Sequence, residues 1–313
     1  MTDQKILITG GNGFIGKHLV NLLLRSGFSN LTIVDTQDNG IDGLKYVKAD
    51  FAEELVMAPL LKHCNAVFHL AAMIGVDNCH TQPEVVKQVN LENTKRFFDI
   101  AVASGVKKIV FTSSSEVYGN SQDIPYREDG NLEPVSVYGE SKVEIEKYLH
   151  MLQKNKGVSV GISRLFNVYG PGQKKDFVVS IFINAAINNK QLQVLGDGQQ
   201  TRTFTFVEDV VDGLLKIFNY SKTPYEIFNL GGQKESTITE LAHEVLLCIP
   251  ESSSKIEYLP YGQDGIRSSH YEIRRRVPST EKSKNILSFV ANTSLHSGLL
   301  KTINSIKITP NLH

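Results

Sequence analysis

Five short apolar runs alternate with helical patterns along the first half of the chain. The runs are Lys5-Ile6-Leu7-Ile8, Leu31-Thr32-Ile33-Val34, Ala66-Val67-Phe68-His69-Leu70, Lys108-Ile109-Val110-Phe111 and Val158-Ser159-Val160-Gly161-Ile162, and the helical patterns fall notably over 14–26, 84–103 and 140–154. Strands that are apolar at nearly every position must be covered on both faces. A helix between successive strands makes them parallel. The expected fold class is therefore α/β, with a doubly wound parallel sheet. After about residue 165 the rhythm breaks, loops lengthen and helices shorten. A sheet domain is expected over 1–166, with about 203–230 returning to it, and a smaller C-terminal α/β lobe over 167–313. No internal repeat or low-complexity linker separates the two.

The first run leads into Thr9-Gly10-Gly11-Asn12-Gly13-Phe14-Ile15-Gly16 and then an amphipathic helix. A glycine-rich turn there lets the backbone approach a pyrophosphate, and the helix N-terminus offers oriented N–H groups. The spacing fits both GxGxxG (Gly11, Gly13, Gly16) and GxxGxxG (Gly10, Gly13, Gly16). Such turns also occur without ligands. This one follows a strand, opens a helix and is followed by Asp35 at the end of the second strand, which is the context of a Rossmann-type dinucleotide site. Asp35 as a plain turn residue is the bland alternative. As a ligand, its carboxylate accepts from the adenine ribose hydroxyls and repels a 2′-phosphate, so the expected cofactor is NAD rather than NADP. Asp50, after a short apolar run, is a second candidate, facing the adenine amino group.

Residues 111–120, FTSSSEVYGN, put four hydroxyls and the carboxylate of Glu116 at the end of a strand. Such hydroxyls can simply cap a loop. Further on, Tyr138 and Lys142 are four apart in YGESK, on one face if the segment is helical. An ammonium there favours the phenolate and makes Tyr138 a plausible base. A surface Tyr/Lys pair is the ordinary alternative, but a dinucleotide fold and a hydroxyl-rich strand end argue together against it.

Composition excludes other classes. Lys plus Arg number 33 and Asp plus Glu number 33, so the formal charge is zero and no general field for nucleic acid exists. Cys64, Cys79 and Cys248 are odd in number and have no CxxC spacing; the adjacent pairs His63-Cys64 and Cys79-His80 lack metal-ligand spacing, and no metal is expected. No leader pattern opens the chain, and no apolar run approaches the ~20 residues needed to span a bilayer. The expectation is a cytoplasmic protein that does not enter membranes.

TGGNGFIG (9–16), FHLAA (68–72), FTSSSEVYG (111–119), YGESK (138–142), RLFNVYGPG (164–172), LGDGQQTRTFTFVEDVVDG (195–213) and NLGG (229–232) resemble, in order and over nearly the whole chain, the extended short-chain dehydrogenases/reductases of the NAD-dependent nucleotide-sugar epimerase/dehydratase family. The resemblance implies oxidation at C4 of a UDP-, GDP- or dTDP-linked sugar. Tyr138 would take the C4 hydroxyl proton, Lys142 would hold the cofactor ribose and tune Tyr138, and Ser114 would hydrogen-bond the reacting oxygen. Gly10, Gly13, Phe14, Ile15, Gly16, Asp35, Asp50, Phe51, Leu70, Ala71, Ala72, Tyr138 and Lys142 would line the cofactor. Ser114, Ser115, Tyr138, Asn167, Arg202 and Arg276 would contact the nucleotide sugar. Guanidinium forks suit the diphosphate. Arg276 also matches an arginine that faces the sugar carboxylate in decarboxylases. Arg274 and Arg275 are expected in a solvated loop, Ser113 and Ser115 on local backbone, and Gly196-Asp197-Gly198 in a tight turn alone.

Glu116 is the residue on which the reaction turns. Dehydratases of the dTDP-glucose type carry an Asp-Glu pair where this chain has Ser115-Glu116, whereas a Ser-Glu pair resembles GDP-mannose-type dehydratases and UDP-glucuronate decarboxylases. Relatives assigned as epimerases also carry Ser-Ser-Ser-Glu. A 4-epimerase is the first expectation; a 4-dehydrogenase releasing the keto sugar, a 4,6-dehydratase or a UDP-glucuronate decarboxylase are the alternatives. A non-catalytic NAD-binding regulator is disfavoured because Tyr138, Lys142 and Ser114 are all present. The helical stretches 90–103 and 140–154 match the pair that forms a dimer contact in the family, so a homodimer is expected through Phe97, Ile100, Ala101, Ile145 and Leu149, with core packing as the alternative.

Overall fold

The computed structural model describes residues 3–38, 40–41, 43–75, 81–262 and 273–308; the pair Cys79-His80 lies outside them. Apolar runs become β1 (Ile6–Thr9), β2 (Leu31–Asp35), β3 (Lys45–Lys48), β4 (Ala66–His69), β5 (Lys108–Ser114) and β6 (Ser159–Leu165). Between them lie α1 (Phe14–Arg25), α2 (Glu54–Leu61), α3 (Pro83–Lys87), α4 (Thr94–Ala103) and α5 (Val137–Lys156), with a π-helical turn at Gln88–Asn93 joining α3 to α4. β5 is longer than its apolar run and carries Thr112, Ser113 and Ser114 within the strand, which fixes the direction of each hydroxyl.

The remaining elements are β7 (Val168–Tyr169), α6 (Val178–Ile187), β8 (Leu192–Leu195), β9 (Thr201–Thr203), β10 (Thr205–Phe206), α7 (Val207–Asn219), β11 (Tyr225–Leu230), β12 (Glu235–Thr237), α8 (Ile238–Cys248), β13 (Ile256–Leu259), β14 (Arg275–Arg276), α9 (Glu281–Leu287) and α10 (Leu295–Ile308). One parallel sheet runs in the order β11-β6-β5-β4-β1-β2-β3. Strand order reverses at β1, so a crevice opens beyond the carboxyl ends of β1 and β4. Alternate residues supply the two faces: Leu7, Val67 and Ile109 pack with α4 and α5, while Ile6, Ile8, Phe68 and Val110 pack with α1 and α7. A third core, with Phe182, Leu192, Leu241, Val245 and Leu299, holds the second lobe together.

The residues expected to form a dimer face are used inside the chain. Phe97, Ala101, Ile145 and Leu149 are fully buried and Ile100 nearly so, all within the core on that side of the sheet. Helical spacing alone does not say which partner a stripe meets, and here the sheet covers it. A second copy would have to meet other faces of α4 and α5.

Beneath the carboxyl end of β5 lies a buried polar network. Arg164 on β6 donates Nε to Glu146 Oε1 at 3.1 Å and Nη2 to Oε2 at 2.7 Å, and its Nη1 donates to the Tyr118 hydroxyl at 2.8 Å. Ser113 also donates to Glu146 Oε1 at 2.5 Å, so this hydroxyl serves a buried carboxylate on α5 and not local backbone as expected. Tyr118 donates in turn to Asn229 Oδ1 on β11 at 2.7 Å. Removing one member of a buried pair strands the other charge. Glu146→Ala should therefore cost about 3–5 kcal/mol in urea unfolding, whereas Glu146→Leu combined with Arg164→Met should recover most of it. Equal losses in both variants would contradict this reading of the network.

Candidate active site

The glycine-rich turn sits at the crevice. Gly10 has φ +70°, and a Cβ there would lie 2.7 Å from the Ala71 nitrogen; a Cβ on Gly16 would lie 2.2 Å from the Gly10 carbonyl oxygen. These two positions need glycine because backbone passes where a side chain would be. Gly13 caps α1 without a side-chain hydrogen bond, and the first turn carries no acidic residue, leaving its N–H groups open to an anion. Asp35 closes β2, with Oδ2 accepting from the Asn12 N–H at 3.0 Å and Oδ1 from the Gln37 N–H at 3.2 Å. Leu70, Ala71 and Ala72 follow β4 and form the opposite lip. Phe14 and Ile15 open α1, half-buried.

Asn12 went unnoticed in the sequence. Its side chain is buried between the glycine turn and Asp35, with the Tyr46 phenol as its hydrogen-bonding neighbour. An amide has two N–H donors and a carbonyl, so one phenol leaves capacity for a polar group of a ligand. Its one signal was a polar residue between the glycines. The turn, the open helix terminus, Asp35 and Asn12 together fit a dinucleotide. Asp50 is engaged locally, accepting from the Ala52 N–H at 2.8 Å, and Phe51 is buried edge-on to His69.

Tyr138 and Lys142 lie on the first turns of α5, whose N-cap Ser136 accepts from the Gly139 N–H at 3.1 Å. The Lys142 ammonium is buried, donates to the Thr112 carbonyl at 2.8 Å and stands 5.5 Å from the Tyr138 ring centroid. Burial pulls its pKa down to about 7, and Glu146 one turn further along the helix opposes that fall. His69, fully enclosed by Phe51, Phe97, Phe98 and Phe111, is kept neutral by burial and by the neighbouring lysine; its Nδ1 pairs with Thr9 Oγ1 at 2.8 Å. Ser114 caps the short turn after β5, its Oγ accepting from the Glu116 N–H at 3.2 Å, and it remains partly exposed to the cleft; Ser115 is buried.

The other wall comes from the second lobe. β9 and β14 run parallel with Arg202 opposite Arg276, so the two guanidinium groups rise from neighbouring strands. Arg276 Nη1 donates to Glu116 Oε1 at 2.7 Å across 160 residues of sequence, and its Nε is buried without a partner. Burial raises the Tyr126 phenol's pKa, while Arg276 and Arg202 pull it back. Tyr126 ties the lobes together: its N–H donates to the Val277 carbonyl at 2.8 Å, its carbonyl accepts from the Ser279 N–H at 2.7 Å, and its ring stacks on Tyr118 at 4.6 Å. That lacing sets Arg276 over the hydroxyl end of β5.

Asn167 adopts φ +36°, a conformation asparagine tolerates, and its amide donates to the Thr203 carbonyl at 3.4 Å. Arg274 and Arg275 are exposed but not merely solvated: they pair with Asp197 and Glu235, and Arg275 is part of a strand. Gly196-Asp197-Gly198 is the expected turn, to which Asp197 adds that ion pair. The structure thus brings Tyr138, Lys142, Ser114, Glu116 and Arg276 to one end of the crevice, and the glycine turn and Asp35 to the other. Among the described residues, the one group with the makings of a metal site lies elsewhere, on α8 and α10.

A cleft with a dinucleotide turn at one end and a Tyr-Lys-Ser set beside paired arginines at the other has counterparts among known proteins. The model of the NAD-dependent epimerase/dehydratase family matches residues 6–231. The chain belongs to this family. It is 33% identical to a UDP-N-acetyl-alpha-D-glucosaminuronate decarboxylase of Bacillus cytotoxicus, over 96% of this chain and 97% of that protein. Its fold matches the UDP-glucose 4-epimerase of Thermotoga maritima, solved with UDP-glucose, at a TM-score of 0.90 and 27% identity, covering 98% of this chain and all of that one (100%). It also matches MoeE5 in complex with UDP-glucuronic acid and NAD, at a TM-score of 0.88 and 30% identity over 97% of this chain and 99% of that one. As a member of this family the chain is an NAD-dependent enzyme of nucleotide sugars, with the doubly wound sheet expected from its sequence.

The buried lysine makes a pH prediction. Below about 7 the folded state must carry the Lys142 charge in a dry site; above that it sheds a proton that the unfolded chain keeps up to about 10. The destabilisation is thus full below pH 7 and fades as pH rises towards 10. Lys142→Met should raise the melting temperature of the cofactor-free protein most at pH 6, with the gain shrinking by pH 9. A gain that grows with pH would contradict the assignment.

Proposed function

We propose that the enzyme oxidises C4 of a uridine-diphosphate hexuronic acid and then releases the C6 carboxylate as carbon dioxide. The observation that carries this reading is the ion pair between Glu116 and Arg276 at the reacting end of the cleft, 2.7 Å long and only partly exposed. One guanidinium facing a site for sugar is an anchor for a carboxylate. Its unpartnered Nε offers a second donor for the same purpose. The resemblance to a decarboxylase of a UDP-linked uronic acid and to a structure holding UDP-glucuronic acid supports the same substrate class.

The glycine turn, Asp35 and Lys142 would hold NAD, which when bound supplies the acceptor and donor of the C4 hydride. Tyr138 removes the C4 hydroxyl proton, and Ser114 hydrogen-bonds the same oxygen as it becomes a carbonyl. Lys142 stabilises the phenolate electrostatically. A C4 ketone makes the uronate a β-keto acid. Its C5–C6 bond breaks with the electron pair passing into the C4 carbonyl, carbon dioxide departs, and C5 then takes a proton; return of the hydride to the same face of C4, with the proton held by Tyr138 going back to the oxygen, restores the alcohol. Arg276 can serve two carboxylates but not equally well at once. When the sugar carboxylate takes the guanidinium, Glu116 is released from it at the same end of the cleft, where its carboxyl group can deliver the proton that C5 takes. Asn167 and Arg202 would hold the nucleotide and diphosphate.

A 4-epimerase uses the same Tyr138, Ser114 and Lys142 with reduction from the opposite face, and the fold likeness to the Thermotoga maritima 4-epimerase favours this as the second reading. Incubation with UDP-glucuronic acid, UDP-N-acetylglucosaminuronic acid and UDP-glucose separates the two. A uronate should yield carbon dioxide and a UDP-pentose or its amino-sugar equivalent. Conversion of UDP-glucose to its C4 epimer with both uronates unchanged would support the epimerase instead. Glu116→Gln should lower decarboxylation at least ~100-fold, as expected of a lost general acid, and Tyr138→Phe should nearly abolish it.

A further inference from the structure

Away from the cleft, the second lobe gathers three side chains of different chemistry. Glu244 and Cys248 are four residues apart on one face of α8, and His296 comes from the first turn of α10. His296 Nδ1 lies 2.7 Å from Glu244 Oε1 and 3.6 Å from Cys248 Sγ, and the three atoms all lie within 4.8 Å of one another. Protein hydrogen bonding cannot serve all three well. Nδ1 either carries a proton and donates it to Glu244, or presents a lone pair to the thiol. In the first case the remaining contact of the thiol is the His296 carbonyl at 4.0 Å, a weak one. A single cation at the centre satisfies all three at once.

We propose that Glu244, Cys248 and His296 form a site for one divalent transition-metal ion of the zinc class. Thiolate, imidazole and carboxylate are the ligands such an ion takes, at about 2.0–2.3 Å each, which requires the three donors to be about 3.5 Å apart, reachable by side-chain rotation. Glu244 and His296 also line a cavity of about 310 Å³ with Glu240, His243 and Lys234, which leaves the fourth position open to water. The Lys234 ammonium on its wall opposes a cation, and the Glu240 and Glu244 carboxylates oppose the lysine. On binding, the thiol gives up its proton to solvent and the imidazole carries its remaining proton on Nε2, so one thiol proton is released per ion. The ion links α8 to α10, whose other faces share the core built around Leu241, Val245 and Leu299. The site therefore clips the second lobe without touching the cleft residues.

The test is titration of the chelator-treated, reduced full chain with cobalt(II), followed by displacement with zinc(II). One equivalent should give a thiolate-to-cobalt charge-transfer band and the visible bands of a four-coordinate ion, and zinc should erase both and raise the melting temperature. His296→Gln, at an exposed position where folding is not at stake, and Cys248→Ser should each abolish the charge-transfer band and the zinc-dependent stabilisation. Absence of the band in the parent chain, or its persistence in either variant through another thiol such as Cys64, would overturn the proposal.

Discussion

The bidentate contact between Arg164 and Glu146 is where sheet, helix and cleft meet. Both residues are almost wholly buried, so neither charge is tolerable without the other. Glu146 sits one turn after Lys142 and two after Tyr138 on α5. Arg164 leaves the strand beside β5. The pair therefore sets the rotation of α5 against the carboxyl end of the sheet, and with it the approach of Tyr138 and Lys142 to Ser114. Ser113 and Tyr118, bound to the same pair, extend this control into the segment that carries Glu116. A hydrophobic contact would resist separation of α5 from the sheet but would not specify one angle. The directional hydrogen bonds do.

A second tie joins the lobes. Tyr118 and Tyr126 stack face to face, Asn229 accepts from one and donates to the backbone of the other, and Tyr126 pairs with the chain just after β14. The outcome is an arginine from residue 276 placed against a carboxylate from residue 116. Placement of that kind gives the cleft its chemical character. In the proposed reaction the tyrosine, lysine and serine would serve the C4 oxidation, and the ion pair would bear on what becomes of the keto sugar.

Much of this architecture was legible because its signals are local. Strand and helix alternation, the glycine turn with Asp35, and Tyr138 four residues before Lys142 are patterns over a few positions, and the structure assembles them around one crevice. Other features arise from contacts that no spacing records. Ser113 looked like a backbone cap and instead serves Glu146, 33 residues away. Phe97 and Leu149 had the periodicity of an interface and went to the core, since amphipathicity defines a buried face without naming what buries it. Arg274 and Arg275 read as a solvated loop, yet they pair with Asp197 and Glu235, while Arg276, read as a contact of the nucleotide sugar, pairs with Glu116. Asn12 was hidden because a polar residue among glycines is unremarkable until its burial is known.

The central claim is that Glu116 and Arg276 direct a C4-keto uronate to lose its carboxylate and take up a proton at C5. Turnover of a UDP-linked uronic acid in deuterated water, followed by magnetic resonance of the product, tests it most directly. The account predicts a five-carbon ring lacking the carboxylate, with one deuterium at C5 and the original configuration at C4. A product that keeps its carboxylate, is inverted at C4 and contains no deuterium would contradict it.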